Sequence, residues 1–373
     1  MTSVFVVNSG SSSIKWELLD AESGSVSRGG IVERIGEPGG GAADHDDGMR
    51  QILAELGEEH PAVVGHRVVH GGAEFTQATV ITDEVERQLE EISVLAPLHN
   101  PANLKGIRAA RATFPTVRHV AIFDTAFHGT LPHHAYTYAI DAQLARAHGI
   151  RRYGFHGTSY RYVSGRAAAM LGKDLADLKL IVFHLGNGAS VCAIDAGSSV
   201  DTSMGMTPLE GLVMGTRSGN IDPGALFHLG RAGMDLPGLD HLLNRESGLF
   251  GMTGTGDMRD VQSAADSGDD DAQAALAVYY HRLRHYLGAY LVALGGADAI
   301  VFTAGVGENN ANTRRATLEG LESFGIDLDA AVNALPNDGE RVISASDSRV
   351  KILVIPTNEE LQIARESVAA ALG

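Results

Sequence analysis

The chain has 373 residues, of which 44% are hydrophobic, and its 29 basic and 46 acidic residues give a formal net charge of −17. This length and composition are typical of a globular protein of about two domains, whereas so acidic a surface disfavours nucleic acids and anionic membranes as partners. No apolar run approaches the roughly 18 residues of a membrane span, the N-terminus lacks the layout of a signal peptide, and the single cysteine, Cys192, has no intrachain partner. We therefore expect a cytoplasmic protein in which Cys192 belongs to the core.

The first half of the chain alternates strand and helix patterns. A β-branched run at 4–7 and an alternating apolar stretch at 14–19 flank the polar corner 8–13, which predicts a β-hairpin. The later elements are a flexible Gly-rich connection over 29–48, a helix over 49–57, a strand over 62–69, helices over 83–95 and 101–113, a strand over 117–123 and a helix over 141–148. This α/β order predicts a mostly parallel or mixed central sheet.

The second half opens with a similar hairpin, because apolar residues at 180–183 and 191–194 flank the corner 184–190. The later elements are a helix-rich segment over 222–295, a strand over 299–303, a Gly-x-Gly segment at 304–309, a helix over 310–323, a strand over 350–355 and a helix over 358–372. We place the domain boundary so that the domains are 1–148 and 149–359. The last helix, about 360–373, is expected to pack back on the first domain.

Both hairpin corners suit a phosphate group. Residues 8–13 read NSGSSS and residues 184–190 read HLGNGAS. Small side chains of this kind leave backbone N–H groups accessible to an anion. Two such corners about half a chain apart predict two similar halves that face each other across a nucleotide, which indicates phosphoryl transfer.

Two arginines are placed where an anion can approach them. Arg67 lies near the end of the 62–69 strand beside two glycines, and Arg217 lies between glycines in GTRSG. A guanidinium group binds carboxylate or phosphate oxygens in pairs, although a structural ion pair is an alternative for Arg67. His156, in YGFHGTS, is a candidate hydrogen-bond donor to phosphoryl oxygens, with a structural role as the alternative.

Two carboxylates follow predicted strands. Asp124 ends the strand at 117–123, and Glu359 follows the strand at 350–355. Carboxylates at such positions often bind Mg²⁺ beside a nucleotide, although Glu359 could instead stabilise a helix N-terminus. The segment FTAGVGENN departs from the dinucleotide fingerprint because Asn310 stands where that motif has glycine, so an NAD-dependent reaction is not supported, and the chain has no P-loop motif.

The chain resembles the acetate kinase family along nearly its whole length. The resemblance rests on eleven motifs in order, which are NSGSSSIK, GHRVVHGG, APLHNP, FDTAFH, YGFHGTS, HLGNGAS, MGMTPLEG, MGTRSG, TGDMRD, FTAGVGEN and PTNEEL. Any one of them alone is a weak signal, but eleven in order are highly specific.

The resemblance implies an α/β fold: a two-domain, duplicated actin-like ATPase (ribonuclease H-like) fold with the active site in the interdomain cleft. It also implies a homodimer that transfers a phosphoryl group reversibly from ATP to acetate, giving acetyl phosphate and ADP. The implied metal is Mg²⁺, with Mn²⁺ as a possible substitute. The implied partners are therefore small molecules and a second copy of the chain.

The family's functional residues carry over by position. In this resemblance Arg67 and Arg217 hold acetate and the moving phosphoryl group, His156 donates a hydrogen bond in the transition state, and Asp124 lies near metal and substrate. The implied metal residues are Asn8 and Glu359. The implied acetate pocket is Val69, Leu98, Phe155 and Pro208. The implied nucleotide-binding residues are Ser13, Lys15, His184, Asn187, Gly188, Asp257, Arg259, Gly305, Gly307 and Asn309.

Two positions depart from the family pattern, since Asn220 replaces a usual aspartate and Tyr160 a usual histidine. Both changes imply tuning rather than loss of activity. The chain is also short for the family around 36–48. Two other functions stay open: a propionate kinase, which shares almost every motif, and a non-enzymatic actin-like nucleotide switch. Val69 favours acetate because a β-branched wall limits the depth of the pocket, and a switch would not need two such arginines.

Overall fold

The structure is a computed structural model, and it describes every residue except Met1, Ser11, Ser12, Glu37, Pro38, Glu58 and Leu98. The described residues form two compact units. The first unit comprises Met1–Gly129, Phe155–Tyr162 and Asn358–Gly373, and the second comprises Thr130–Gly154 and Val163–Thr357. The last helix thus belongs to the first unit, whereas the boundary near 148 stays a prediction.

The elements follow in chain order. The strands are β1 Ser3–Ser9, β2 Ser13–Asp20, β3 Val26–Glu33, β4 Val63–Val68, β5 Thr79–Val80, β6 Arg118–Phe123, β7 Lys179–Leu185, β8 Ala189–Asp195, β9 Ser198–Thr202, β10 Ala299–Thr303, β11 Arg341–Val342 and β12 Lys351–Val354. The helices are α1 His45–Leu56, α2 Asp83–Glu91, α3 Asn100–Thr113, α4 His133–Tyr136, α5 Ala142–Ala147, α6 Gly157–Leu171, α7 Pro223–Arg231, α8 Leu236–Arg245, α9 Gly248–Thr253, α10 Met258–Asp266, α11 Asp270–Leu294, α12 Ala304–Asn309, α13 Ala311–Leu318, α14 Ala330–Asn333 and α15 Glu359–Leu372.

The two units contain sheets of the same topology. The first sheet has the order β3-β2-β1-β4-β6-β5, and the second has the order β9-β8-β7-β10-β12-β11. In each, three antiparallel strands lead into two parallel neighbours and end on a short antiparallel strand. This match confirms the duplicated α/β architecture that the two hairpins predict.

Period-two alternation decides which face of the first sheet each side chain joins. Phe5 and Val7 of β1 pack with Met49 of α1 in one core cluster. Val4 and Val6, the alternating residues, join α15 in a second cluster on the other face. The C-terminal helix is therefore an integral layer of the first unit.

The flexible connection predicted over 29–48 is wrong at both of its ends, where a strand and a helix replace it. Residues Val26–Glu33 form β3, which pairs with β2 and lies largely exposed at the sheet edge. Its glycines and polar residues suit an exposed edge strand, because main-chain hydrogen bonds rather than apolar side chains hold it. Helix α1 also begins earlier than predicted, since the Asp44 side chain caps it by accepting from the Asp47 amide at 2.8 Å.

The region 304–323 also differs from the prediction. Residues Ala304–Asn309 form helix α12, which begins directly after β10, and the following helix ends at Leu318. Ala304 has a φ of +64°, a left-handed conformation that is costly for a residue with a side chain. In the described part of the chain, no helix is long and apolar enough to cross a membrane.

A buried histidine pair makes the stability of the first unit dependent on pH. The His119 Nε2–H group donates to the Phe114 carbonyl at 3.1 Å, so His119 Nδ1 accepts from His66 Nε2 at 3.0 Å. Burial lowers the pKa of both rings, and that of His66 falls well below its ordinary value of 6.5. At pH values below about 6.5, the folded protein therefore binds fewer protons than the unfolded chain.

We expect the free energy of unfolding to be highest above pH 6.5 and to fall as the pH drops below it, because the unfolded histidines protonate first. Urea unfolding at a series of pH values measures the slope. The variant His66→Gln keeps a donor at the same place and removes one titrating group, so it should flatten the curve. His148→Gln, at an exposed position, is the matched control, and equal slopes for the two variants would contradict the expectation.

Candidate active site

Arg67 is the centre of a polar cluster at the carboxyl end of the first sheet. Because β1, β4 and β6 are parallel neighbours, their ends place Asn8, Arg67 and Asp124 side by side. Arg67 Nε and Nη2 donate to the two carboxylate oxygens of Asp124 at 3.0 and 2.6 Å, and Nη1 donates to Asn8 Oδ1 at 3.1 Å. Glu359, which begins α15, lies 4.0 Å from Arg67 Nε. Four residues from distant sequence positions thus meet here.

The charges of this cluster are strongly coupled. Burial opposes the charge on Arg67, but Asp124 and Glu359 outweigh it and raise the pKa of the guanidinium. Burial raises the pKa of Glu359 to about 7, with Asp124 adding to the rise and Arg67 opposing it. Glu359 is therefore an acid that ionises near neutrality unless a cation joins the cluster.

His156 is held in a strained backbone conformation next to this cluster. Its φ is +61°, in the left-handed region. The preceding Phe155 carbonyl accepts from His128 Nε2 at 3.0 Å, and the following Gly157 amide donates to the Asp124 carbonyl at 2.9 Å. A side chain at position 157 would overlap that carbonyl, so only glycine fits there. The turn 124–128 therefore positions both Arg67 and His156.

The four residues of the expected acetate pocket do not all lie in the same unit, and one of them is not described by the structure. Val69 and Phe155 are buried in the first unit, and the Phe155 ring packs edge-on against His70 at 5.5 Å. Leu98 lies outside the described residues. Pro208 lies in the second unit, where its carbonyl accepts from Arg217 Nη1 at 3.1 Å.

The sequence reasoning missed two asparagines of α3 that hold the backbone beside Val69. Asn103 Oδ1 accepts from the Val69 amide at 3.1 Å, and Asn100 bonds both the amide and the carbonyl of His70 at 3.1 and 2.9 Å. Both asparagines are buried. The available signal was a pair of amides at the start of an otherwise amphipathic helix, with Asn100 inside the APLHNP motif and Asn103 just after it.

Ser13 and Lys15 lie on β2, directly after the first corner. The Ser13 carbonyl accepts from the Gly10 amide at 2.7 Å, which closes that corner. The Lys15 ammonium group forms ion pairs with Glu360 and Glu17. Burial opposes its charge, but these two carboxylates outweigh burial and raise the pKa of Lys15.

Arg217 differs from Arg67 in its charge environment. Its Nη1 donates to the Pro208 carbonyl and contacts Met214 Sδ at 3.6 Å. Across the part of the chain that the structure describes, no carboxylate forms an ion pair with Arg217. Burial and the nearby Arg245 lower the pKa of its guanidinium. A partly buried cation of this kind is stabilised when an anion binds.

The second unit contains a cavity of about 430 Å³ beside helices α9, α10 and α12. It is lined by Gly186, Asn187, Gly215, Leu249, Gly256, Asp257, Met258, Arg259, Tyr279, Gly305, Val306, Asn309 and Asn310. Five residues expected to bind nucleotide are among them: Asn187, Asp257, Arg259, Gly305 and Asn309. This volume, with glycines and a few polar groups in the wall, suits a small organic ligand.

Three further residues of the second unit that are expected to bind nucleotide are outside the lining, as are Ser13 and Lys15 of the first unit. His184 lies near the end of β7 and is 8% exposed, the Gly188 carbonyl accepts from the Gly186 amide at 3.0 Å, and Gly307 is buried in α12. At the cavity wall, Asp257 caps α10 by accepting from the Arg259 amide at 2.8 Å. It also pairs with the Arg259 guanidinium, and these hydrogen bonds lower the pKa of Asp257 to about 2.

The comparison with known proteins identifies the family. The model of the acetokinase family matches residues 3–365. This chain belongs to the acetokinase family. It is 57% identical to an acetate kinase of Leifsonia xyli over 393 aligned residues that cover 99% of both chains. The crystal structure of Porphyromonas gingivalis acetate kinase superposes with a TM-score of 0.95 at 42% identity, covering 99% of this chain and all of that one.

A propionate kinase is also among the similar solved structures. A propionate kinase from Francisella tularensis superposes with a TM-score of 0.93 at 38% identity, again covering 99% of this chain and all of that one. Full-length matches of this quality confirm the two-domain, duplicated actin-like fold of the family.

Both departures from the family pattern have defined surroundings. Asn220 Oδ1 accepts from the Gly211 amide at 2.8 Å, while its Nδ2 donates to the Tyr286 hydroxyl at 2.9 Å. An amide satisfies both partners with one acceptor and one donor. Tyr160 is fully buried on α6, with its ring 5.6 Å from that of His128.

Arg314 is a further residue that sequence reasoning missed. Its side chain is buried, and it donates to the Gly307 and Glu308 carbonyls at 2.9 and 3.0 Å and to Asn333. It therefore holds the C-terminal end of α12 beside the cavity, and burial lowers its pKa to about 10. Adjacent to Arg315 on a polar helix, it has the sequence pattern of a surface residue.

Proposed function

We propose that this chain is an acetate kinase, which transfers the terminal phosphoryl group of ATP to acetate and releases acetyl phosphate and ADP. The observation that carries the proposal is a pair of partly buried arginines, one neutralised by Asp124 and the other, Arg217, without a carboxylate partner among the described residues. Membership of the acetokinase family supports the same reaction.

The acceptor needs no general base. A carboxylic acid titrates near about pH 4, so acetate is already an anion at neutral pH. Asp124, with both oxygens bound to Arg67, therefore serves to orient that arginine rather than to accept a proton. The task left to the protein is to bring two anions together and to stabilise the charge of the transferring group.

We assign roles to the charged residues on this basis. Arg217 supplies the unbalanced positive charge for the incoming anion, and Arg67 supplies a pre-oriented guanidinium for the phosphoryl oxygens. His156 donates a hydrogen bond to the same oxygens, and its strained backbone fixes the direction of the ring. A group fixed beforehand does not need to reorganise during the reaction.

The first unit offers oxygen donors that fit a divalent cation. Glu359 and Asn8 both lie against Arg67, and the raised pKa of Glu359 indicates a carboxylate that a cation would stabilise. Mg²⁺ usually takes one or two carboxylates and completes its shell with water and phosphate oxygens. When bound, the metal would neutralise charge on the phosphates. We propose Mg²⁺, with Mn²⁺ as a substitute, held through Glu359 and Asn8.

ATP and ADP are proposed to occupy the cavity of the second unit. Gly305 leaves open space beside the backbone of α12, where an adenosine group would lie. The ion pair of Asp257 and Arg259 borders this space. We extend the proposal to a cytoplasmic homodimer, as the family resemblance implies.

The acyl group is tested by a series of acids. Initial rates with Mg²⁺-ATP and formate, acetate, propionate or butyrate, with hydroxylamine as the trap for acyl phosphate, give kcat/KM for each acid. The proposal requires the highest value with acetate. A maximum at propionate would keep the mechanism and change the substrate, whereas no turnover with any acid would favour a nucleotide switch.

Val69 is expected to limit the length of the acyl chain, because it is buried and β-branched. Val69→Ala should therefore improve kcat/KM for propionate relative to acetate by about 10- to 100-fold, the value of one methylene group in an apolar pocket. The acid series measures this ratio. Val94→Ala, at an exposed apolar position, is the control, and an unchanged ratio in Val69→Ala would contradict the assignment.

A further inference from the structure

The loop 204–210, with sequence MGMTPLE, carries Pro208 but contains no regular secondary structure. The ladder hydrogen bonds of a sheet therefore do not fix the position of Pro208. The loop is nevertheless well anchored, because the side chains of Tyr138 and Arg152 bind it and its own Glu210 binds both of them. We call Tyr138, Arg152 and Glu210 the loop anchor.

Arg152 holds the beginning of the loop. Its Nη1 lies 2.9, 3.2 and 3.0 Å from the carbonyl oxygens of Thr202, Ser203 and Met204. Its Nη2 forms an ion pair of 2.6 Å with Glu210 Oε1 at the other end of the loop. A single guanidinium thus ties the two ends together, and only 16% of its side chain is exposed.

Tyr138 completes the loop anchor. It lies in the segment 137–141, which connects α4 to α5. Its hydroxyl donates to Glu210 Oε2 and accepts from the Met206 amide at 3.1 Å. At Gly205 a side chain would overlap both Glu210 and the Tyr138 hydroxyl, so only glycine fits. Both carboxylate oxygens of Glu210 are therefore occupied by groups that define the shape of the loop.

The loop in turn orients Arg217. The Pro208 carbonyl, two residues before Glu210, is the oxygen acceptor of the Arg217 guanidinium at 3.1 Å. Since no described carboxylate pairs with Arg217, this carbonyl and the Met214 Sδ atom, at 3.6 Å, are the contacts that direct its Nη1. A shift of the loop would move both the Pro208 ring and the guanidinium.

We propose that Tyr138 and Glu210 are positioning residues for the carboxylate substrate, acting through Pro208 and Arg217. The inference rests on the proposed function and adds to it the residues that set acyl-chain selectivity. The loop anchor fixes the position of Pro208, the proposed wall beside the acyl group, and of Arg217, the proposed cation for its carboxylate. Loosening the loop anchor should weaken binding of the carboxylic acid and reduce the selectivity between acetate and longer acids. It should have little effect on the binding of ATP.

The test is Tyr138→Phe, which removes one hydroxyl and keeps the ring. Replacing Arg152 would leave Glu210 without its cation and could prevent folding, so it is not the variant of choice. We expect KM for acetate to rise about tenfold, as for loss of one buried hydrogen bond, and the acetate-to-propionate ratio of kcat/KM to fall. KM for ATP should stay within about twofold. Tyr280→Phe, which removes a hydroxyl bonded to Gln262 on α10, is the matched control.

A second set of variants separates positioning from general damage. Glu210→Gln should reproduce the loss of selectivity, because the amide has a single acceptor oxygen, which can bind the Tyr138 hydroxyl or Arg152 Nη2 but not both. In a Pro208→Ala background, Tyr138→Phe should change the selectivity ratio less than it does alone, because the wall it positions is gone.

The outcomes distinguish this inference from the function on which it rests. An active wild type, with Tyr138→Phe and Tyr280→Phe giving the same selectivity and KM for acetate, would overturn the positioning role alone. Equal rises in KM for acetate and ATP would also overturn it, since they would indicate general damage. A wild type inactive with every acid would overturn both.

Discussion

Replacing Arg217 with alanine should reduce kcat by at least about 100-fold, the usual cost of removing one donor that stabilises transition-state charge, while the protein remains as stable as the wild type. The physical reason is the unbalanced guanidinium. Arg217 is largely buried with the Pro208 carbonyl as its oxygen acceptor, and burial lowers its pKa. Its desolvation therefore costs folding free energy that a bound anion offsets.

The measurement combines kcat from the hydroxylamine assay with urea unfolding of the same preparations. Arg245→Ala is the control, because it removes a nearby positive charge at an exposed position and should keep kcat near the wild-type value. A large loss of stability in Arg217→Ala would show that this arginine is structural. Activity within about tenfold of the wild type would contradict its proposed role.

Arg67→Ala should lose a similar factor in kcat but should also destabilise the fold. Its guanidinium neutralises Asp124, which is 1% exposed, through two hydrogen bonds. Removing one partner of a buried ion pair leaves an uncompensated charge and typically costs about 3–5 kcal/mol. The two alanine variants are thus expected to lose similar factors in kcat, whereas only Arg67→Ala should lower the free energy of unfolding.

Urea unfolding of Arg67→Ala, Asp124→Ala and the double variant measures this difference. The double variant should recover part of the lost stability because the Asp124 carboxylate is no longer left unpaired, yet it should stay inactive. Wild-type stability in Arg67→Ala would mean that the Asp124 carboxylate does not need this cation. The contrast with Arg217 would then disappear.

The sequence predicted the parts of the fold that hydrophobic periodicity controls. The two hairpins, the parallel strands and the last helix all follow from runs of buried apolar residues. The same runs placed Arg67 near the end of one strand and Asp124 directly after another, whereas their hydrogen bonds to each other were seen only in the structure. The edge strand β3 escaped prediction because main-chain pairing to β2, rather than apolar side chains, defines it. Helix α12 escaped because its glycines, typical of a loop, lie in a helix.

The supporting residues of the candidate site were harder to predict than its charged centre. Arg67 and Arg217 lie near glycines in the sequence, so the sequence alone indicates them as candidate anion ligands. Glu210 acts through the side chains of Arg152 and Tyr138. Asn100, Arg152 and Arg314 act through backbone carbonyls and amides that are distant in sequence or unremarkable in pattern. Their roles depend on which main-chain groups lack a partner in the folded chain, and this information exists only in three dimensions.

Phosphoryl transfer to acetate is tested most directly by ³¹P NMR of the purified wild-type protein with Mg²⁺-ATP, recorded with and without acetate. We expect the ADP and acetyl phosphate signals to grow together when acetate is present and ATP to persist when it is absent. Release of inorganic phosphate at the same rate in both samples, or no change in either, would contradict phosphoryl transfer to a carboxylate.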